Sequence, residues 1–227
     1  MKTKQNFNHI GLADSIIELD TTYRNNKRWY KIPNGELYPS VTTVTGWGKR
    51  AFFAEWRRKN PEESKLSLSR GTAFHSLVEN YLNNDEDFLK GQSSDCMFLF
   101  EQFKSLLDGK ISNIRAQEVP LYSNTLRLAG RVDCVADYDG TLSIIDFKTS
   151  KAEKKEEWVE SYFAQATAYA IMWKEMTGET IDQIVILISS MDGSSQEFVK
   201  KPVKYVPVLK KMIDGYWKDN IPHDFSY

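Results

Sequence analysis

The chain has 227 residues, 41% of them hydrophobic and 13% aromatic, enough for one generous domain or two small ones around a sizeable core. Thirty Lys and Arg against 31 Asp and Glu leave a formal net charge of −1, which excludes a polycation held to nucleic acid by bulk charge. Two cysteines, Cys96 and Cys134, are too few for a disulfide framework, a structural four-thiolate zinc site or a four-cysteine iron–sulfur cluster, and they suit a reducing compartment.

Met1 to Asp20 contains no apolar core of signal-peptide length, and Asp14, Glu18 and Asp20 argue against an acid-poor transit peptide, so a cytoplasmic location is expected. No apolar run approaches the roughly 20 residues that a membrane helix needs, so no membrane partner is expected. Ser15 to Leu19 and Arg28 to Ile32, with the turn signal Asn34-Gly35, predict a small antiparallel unit. Trp47 to Lys59 reads as a basic helix with Phe52, Phe53 and Trp56 at helical spacings, and some of these aromatics and Trp47 should be core.

Gly71 to Leu82 and Cys96 to Leu107 carry apolar stripes of amphipathic helices, and Asn83 to Ser94 reads as the loop between them. The period then changes to that of strands: Gln117 to Tyr122, Leu126 to Ala136 and Leu142 to Phe147, the last two joined by the hairpin signal Asp139-Gly140. A long helix over Glu157 to Met176, ended by Gly178, precedes strands at Ile184 to Ile188 and Glu197 to Lys201 and a closing helix around Pro207 to Trp217. Strands in the middle with helices on either side predict an α/β or α+β sandwich. With no repeat or linker, one domain over 1–227 is expected, residues 1–60 being an N-terminal helical and β elaboration on a core over 61–227.

Two carboxylates interrupt the apolar strands. Asp133 and Asp146 fall at similar distances from the Asp139-Gly140 turn, which places them on neighbouring strands within reach of one cation. Lys148 follows Asp146 by two residues and so projects from the same face. With the carbonyl of Phe147 between them, this oxygen-rich set suits one or two Mg²⁺ or Mn²⁺ ions and the hydrolysis of a phosphodiester, with Lys148 orienting or deprotonating the nucleophile. The plainer alternative is an ion pair at a strand end.

Gly130-Arg131-Val132-Asp133, Ile144-Ile145-Asp146-Phe147-Lys148-Thr149-Ser150, and Gln165 with Tyr169 resemble the RecB-type branch of the PD-(D/E)XK nuclease superfamily. Tyr38 to Thr42, Gly71 to His75 and Glu118 extend the likeness toward the mitochondrial genome-maintenance exonucleases and their phage and bacterial relatives. The resemblance implies a restriction-endonuclease-like α/β core, a central mixed sheet flanked by helices. It implies His75, Asp133, Asp146 and the Phe147 carbonyl as metal ligands, Lys148 as catalytic, and Gln165 beside the nucleophile, lysine or phosphate. It gives Glu118 a second metal or a water to orient, and Tyr169 a place in support. On pattern alone His75, Gln165 and Tyr169 would be ordinary helix residues and Glu118 a solvent-facing strand residue.

Single-stranded DNA threaded from a free end under a helical arch is the implied substrate. Ser40, Thr42 and Thr43 suit either phosphate oxygens or a helix cap. Lys49, Arg50, Trp56 and Arg57 suit a stacking platform, with Arg70, Arg131, Thr149 and Lys151 extending a positive channel toward Lys148. A single-strand annealing or binding protein is an expected partner, no iron–sulfur cluster or ATP is expected, and the short chain suggests a bacterial or phage origin. The rival expectations are a flap endonuclease and a non-catalytic partner that binds DNA ends.

Overall fold

The structure, a computed structural model, describes residues 6–11 and 16–220. Its first unit is a three-stranded antiparallel sheet, β1 (Thr21–Arg24), β2 (Lys27–Lys31) and β3 (Leu37–Pro39). The expected unit is present, but its first hairpin turns at Asn25-Asn26, both in the left-handed region, and residues 17–20 before it form no strand. Ser15 lies outside the described residues. Asparagine tolerates that conformation, which is why a pair of them turns the chain as well as Asn34-Gly35 does.

Three helices follow: α1 (Val41–Thr45), α2 (Arg50–Lys59) after a 3₁₀ turn over Trp47–Lys49, and α3 (Pro61–Leu82). Helix α3 begins ten residues before the apolar stripe that predicts it, because Pro61 to Arg70 is polar but for the exposed Leu66 and Leu68 and has no buried residue. Pro61 at the first turn, with Glu62 and Glu63 beside it, is the local signal for that start. No residue of α2 is buried and Phe52 and Phe53 are exposed; of the aromatics expected to include core residues, Trp47, in the turn before α2, is the one that packs against the core.

Helix α4 (Ser94–Leu107) precedes the five-stranded sheet β4 (Ile111–Ser123), β5 (Leu128–Tyr138), β6 (Thr141–Ser150), β7 (Gln183–Ser190) and β8 (Ser195–Lys200), in that spatial order. All neighbours are antiparallel except β6 and β7, whose crossover contains α5 (Glu160–Thr177), so the sheet is mixed. Asp139 and Gly140 are both left-handed and close the β5–β6 hairpin as expected. Gly178 closes α5 in the same conformation, and α6 (Val206–Asp219) ends the described chain.

Strand alternation sorts the core onto two faces. Ile144, Ile184, Ile186 and Ile188 pack with α1, α5 and α6, while Ile145, Phe147, Val185 and Leu187 pack with α3 and α4. Helix α5 is apolar over most of its surface, Phe163 to Ala170 being buried without interruption, as a helix wedged between a sheet and other helices requires. No helix among the described residues is long and apolar enough to cross a membrane.

Candidate active site

The sheet forks at its centre. Strand β5 pairs with β6 only as far as Cys134 opposite Ile145; beyond that point β5 continues with β4 and β6 with β7. The next residues of the hairpin are Asp133 and Asp146, so both carboxylates stand in the crotch of the fork, 9% and 1% exposed. Separation leaves strand backbone unpaired, and the Asp133 side chain takes up the slack: its Oδ2 accepts the Phe147 N–H at 2.8 Å. In a strand the N–H and C=O of one residue point to the same side, so the Phe147 carbonyl also projects into the fork.

Asp146 faces α5. Its Oδ1 accepts from Gln165 Nε2 at 3.1 Å, and its Oδ2 lies 2.5 Å from Lys148 Nζ as an ion pair, with no hydrogen-bond donor properly aligned on it. The Lys148 ammonium sits 5.2 Å from the centre of the Tyr162 ring. Burial raises the Asp146 carboxyl to about 6 even though Lys148 opposes it. Burial disfavours the Lys148 ammonium, but Asp146 and Asp133 outweigh it and the lysine rises above its ordinary value.

From the opposite face, α3 brings His75 into the fork, its Nδ1 at 3.6 Å from Asp133 Oδ2 and 3.8 Å from Glu118 Oε1. Ligand atoms of His75, Glu118 and Asp133 lie within 4.8 Å of one another. Burial works against a charged imidazole; Asp133 and Glu118 overcome it, so His75 binds its proton more tightly than usual. Glu79, one helical turn after His75, is pushed upward by burial and then by Glu118. Such a concentration of carboxylates, with the buried Asp146 Oδ2 lacking an aligned donor, fits a divalent cation that prefers oxygen.

A cavity of about 830 Å³ is lined by residues of both α2 and α3 and reaches His75 and Glu118. Phe53, Trp56 and Arg57 of α2 line it, with Arg28, Arg131 and Glu79. The expected positive channel is only partly present. Arg50 pairs with Asp219 at 2.9 Å and stacks on Trp47, and Lys49 Nζ is turned to the Trp158 carbonyl at 3.5 Å. Arg70 pairs with Asp95, and Lys151 with Glu63, around a separate depression. Arg50, Arg70 and Lys151 face acidic residues on neighbouring elements and Lys49 a backbone carbonyl, partners that sequence spacing does not display.

Ser40 is 1% exposed and caps α1, accepting the Thr43 N–H at 3.1 Å and contacting the Thr42 and Thr43 hydroxyls, so the capping alternative describes it. Thr149 Oγ1 faces α3 beside Gly71. Tyr169 is 1% exposed and its ring closes on Gly130, which places it beneath the site rather than on a DNA-facing surface. Sequence reasoning missed Arg28, Glu79 and Tyr162. The only sequence signal for Glu79 was its i,i+4 spacing from His75.

Residues 48–214 match the PD-(D/E)XK nuclease superfamily. The chain belongs to that superfamily. A human relative, mitochondrial genome maintenance exonuclease 1, is 34% identical over 190 residues, covering 72% of this chain and 53% of the relative. Its mouse counterpart is 33% identical over 129 residues, covering 51% of this chain and 38% of the relative. The chain thus spans about half or less of these relatives, both of them mammalian, so neither bears on a bacterial or phage origin. A solved structure of a candidate exonuclease from Eubacterium rectale overlaps 67% of this chain and 65% of its own at 12% identity and a TM-score of 0.46, too slight a likeness to carry an argument.

PD-(D/E)XK nucleases use divalent metal ions, and His75, Glu118 and Asp133 could hold one.

Proposed function

We propose that the protein is a metal-dependent exonuclease that hydrolyses DNA phosphodiester bonds from a free end, with single strands entering through the cavity lined by α2 and α3. The observation that carries this reading is the pair of buried carboxylates, Asp133 and Asp146, facing Lys148 at the fork while His75 and Glu118 converge from other elements. The exonuclease name of the human and mouse relatives supports the end requirement.

His75, Glu118, Asp133, Asp146 and the Phe147 carbonyl would hold one or two Mg²⁺ or Mn²⁺ ions, which supply positive charge against the scissile phosphate and make water easier to deprotonate. Within the protein, Phe147 N–H fixes the rotamer of Asp133 and Gln165 fixes that of Asp146, so neither carboxylate must reorganise. Lys148 is kept charged by Asp146 and is positioned to orient the attacking oxygen and balance charge as it develops. Phe53 and Trp56 offer rings for base stacking, and Arg28 and Arg57 offer cations to the strand's phosphates.

The test is a time course on 5′- and 3′-labelled linear DNA and on circular single strands, with Mg²⁺ and with Mn²⁺. Linear strands are expected to be degraded and circles left intact. Lys148→Ala should lose on the order of 10²- to 10⁴-fold in rate. Cleavage of circles would make the protein an endonuclease, and wild-type rates in Lys148→Ala would end the proposal.

A further inference from the structure

Glu118 occupies the β4 position across from Asp133, in the gap between the pairs Gln117–Cys134 and Val119–Val132. Its φ is +48°, in the left-handed region. The other non-glycine residues found there are four Asn, one Asp and Arg127, the last in the turn between β4 and β5. Glutamate gains nothing from that conformation by itself: it has no short polar side chain to bond its own backbone, and the Cβ clash remains. Something outside the residue must hold it, and strain of this kind gathers at functional sites.

Arg131, on the adjoining strand, is a side chain that holds its backbone. One guanidinium nitrogen donates to the Glu118 carbonyl and another donates to the Glu18 carboxylate in the segment before β1. Arg131 therefore grips the backbone of the strained residue while Glu18 anchors the other end of the guanidinium. The left-handed turn of the backbone accompanies the approach of Glu118 Oε1 to His75 and to the Asp133 cluster.

We infer that Arg131 is a positioning residue: with Glu18 it holds Glu118 in its left-handed conformation and so places that carboxylate for the metal, rather than serving chiefly as a phosphate contact. The inference rests on the reading of His75, Glu118 and Asp133 as metal ligands. It also gives the N-terminal segment a stake in the site, because Glu18 is joined to Glu118 through a single side chain.

The experiment titrates Mn²⁺ calorimetrically into the wild-type protein and its variants, without DNA. Arg131→Gln should weaken Mn²⁺ binding about 10- to 100-fold. Adding Arg131→Gln to Glu118→Ala should weaken it no further than Glu118→Ala alone, since both act through one carboxylate. Glu18→Ala alters an exposed residue, so it should fold, and it should weaken Mn²⁺ binding by a few-fold. In EDTA, the salt dependence of binding to a single-stranded oligonucleotide should be the same for Arg131→Gln as for wild type.

Wild-type Mn²⁺ affinity in Arg131→Gln with a shallower salt slope would overturn the inference and make Arg131 a phosphate contact. Wild-type affinity in Glu18→Ala would overturn the anchoring, including if Arg131→Gln does not fold. Urea midpoints test the strain separately. Glu118→Gly should unfold at higher urea than Glu118→Ala, the reverse of the usual order in a strand, and the usual order would refute the claim. Absence of Mn²⁺ binding in the wild type would be a failure of the metal reading instead, which the Gly and Ala comparison does not depend on.

Discussion

Asp146 is a carboxyl that the fold keeps partly at odds with its charge. Its pKa rises from 3.8 to about 6 through burial, against the pull of Lys148. The folded state therefore holds a proton that the unfolded chain has released between those values, and the stability linked to it is present below about pH 4 and lost as pH rises through about 6. Without divalent ions, the urea midpoint of wild type should fall between pH 5 and pH 7 relative to that of Asp146→Asn, which lacks this titration. Equal slopes in the two proteins would contradict it. Gly130 has a different constraint: a Cβ there would stand 2.8 Å from Tyr169 Oη and 2.9 Å from its Cε1. Gly130→Ala should cost about 1–3 kcal/mol by overpacking, measured as a lowered thermal midpoint, because Tyr169 is fully enclosed and has little room to retreat. The motif glycine was legible in sequence, whereas its reason, an aromatic ring arriving from α5, was not.

At the scale of elements, α2 is the anomaly, a ten-residue helix with no buried side chain and two exposed phenylalanines. Its aromatics do not serve the core. Phe53→Ala and Trp56→Ala should change stability by no more than about 1 kcal/mol while weakening single-strand binding by about 1–3 kcal/mol each, the range for a base stacked on a ring. Parallel urea melts and fluorescence binding isotherms separate the two effects, and a large loss of stability would return these rings to a packing role. The three-strand meander, its Asp-Gly turn and the long α5 were all readable, since period and turn chemistry are local. The first ten residues of α3 and the unburied α2 were misread, because a stripe reports only the part of a helix that packs, and aromatic spacing does not say whether a neighbour covers it.

Across the whole molecule, near-neutral charge conceals a mixed rather than a uniformly positive cleft. Arg28 and Arg57 line the cavity among Glu79 and Glu118, while Lys49, Arg50, Arg70 and Lys151 face partners elsewhere. Metal-free binding to single-stranded DNA should thus depend only mildly on salt, with a log–log slope of about −1 to −2 for two or so phosphates neutralised. A slope steeper than about −4 would require the cations now paired with carboxylates to be free for DNA. The sequence by itself determined the strand pair that carries Asp133, Asp146 and Lys148, because a tight hairpin and a period of two relate those residues within one short stretch of chain. The resemblance named His75, Gln165 and Glu118, but only the tertiary structure decided how they reach the pair, His75 from α3, Gln165 from α5 and Glu118 through a left-handed turn of β4, and that Tyr162 joins them. It also decided which basic residues face the cleft. Those choices depend on how helices lie across the two faces of a forked sheet, where contacts span tens of residues and local periodicity carries no information about the partner.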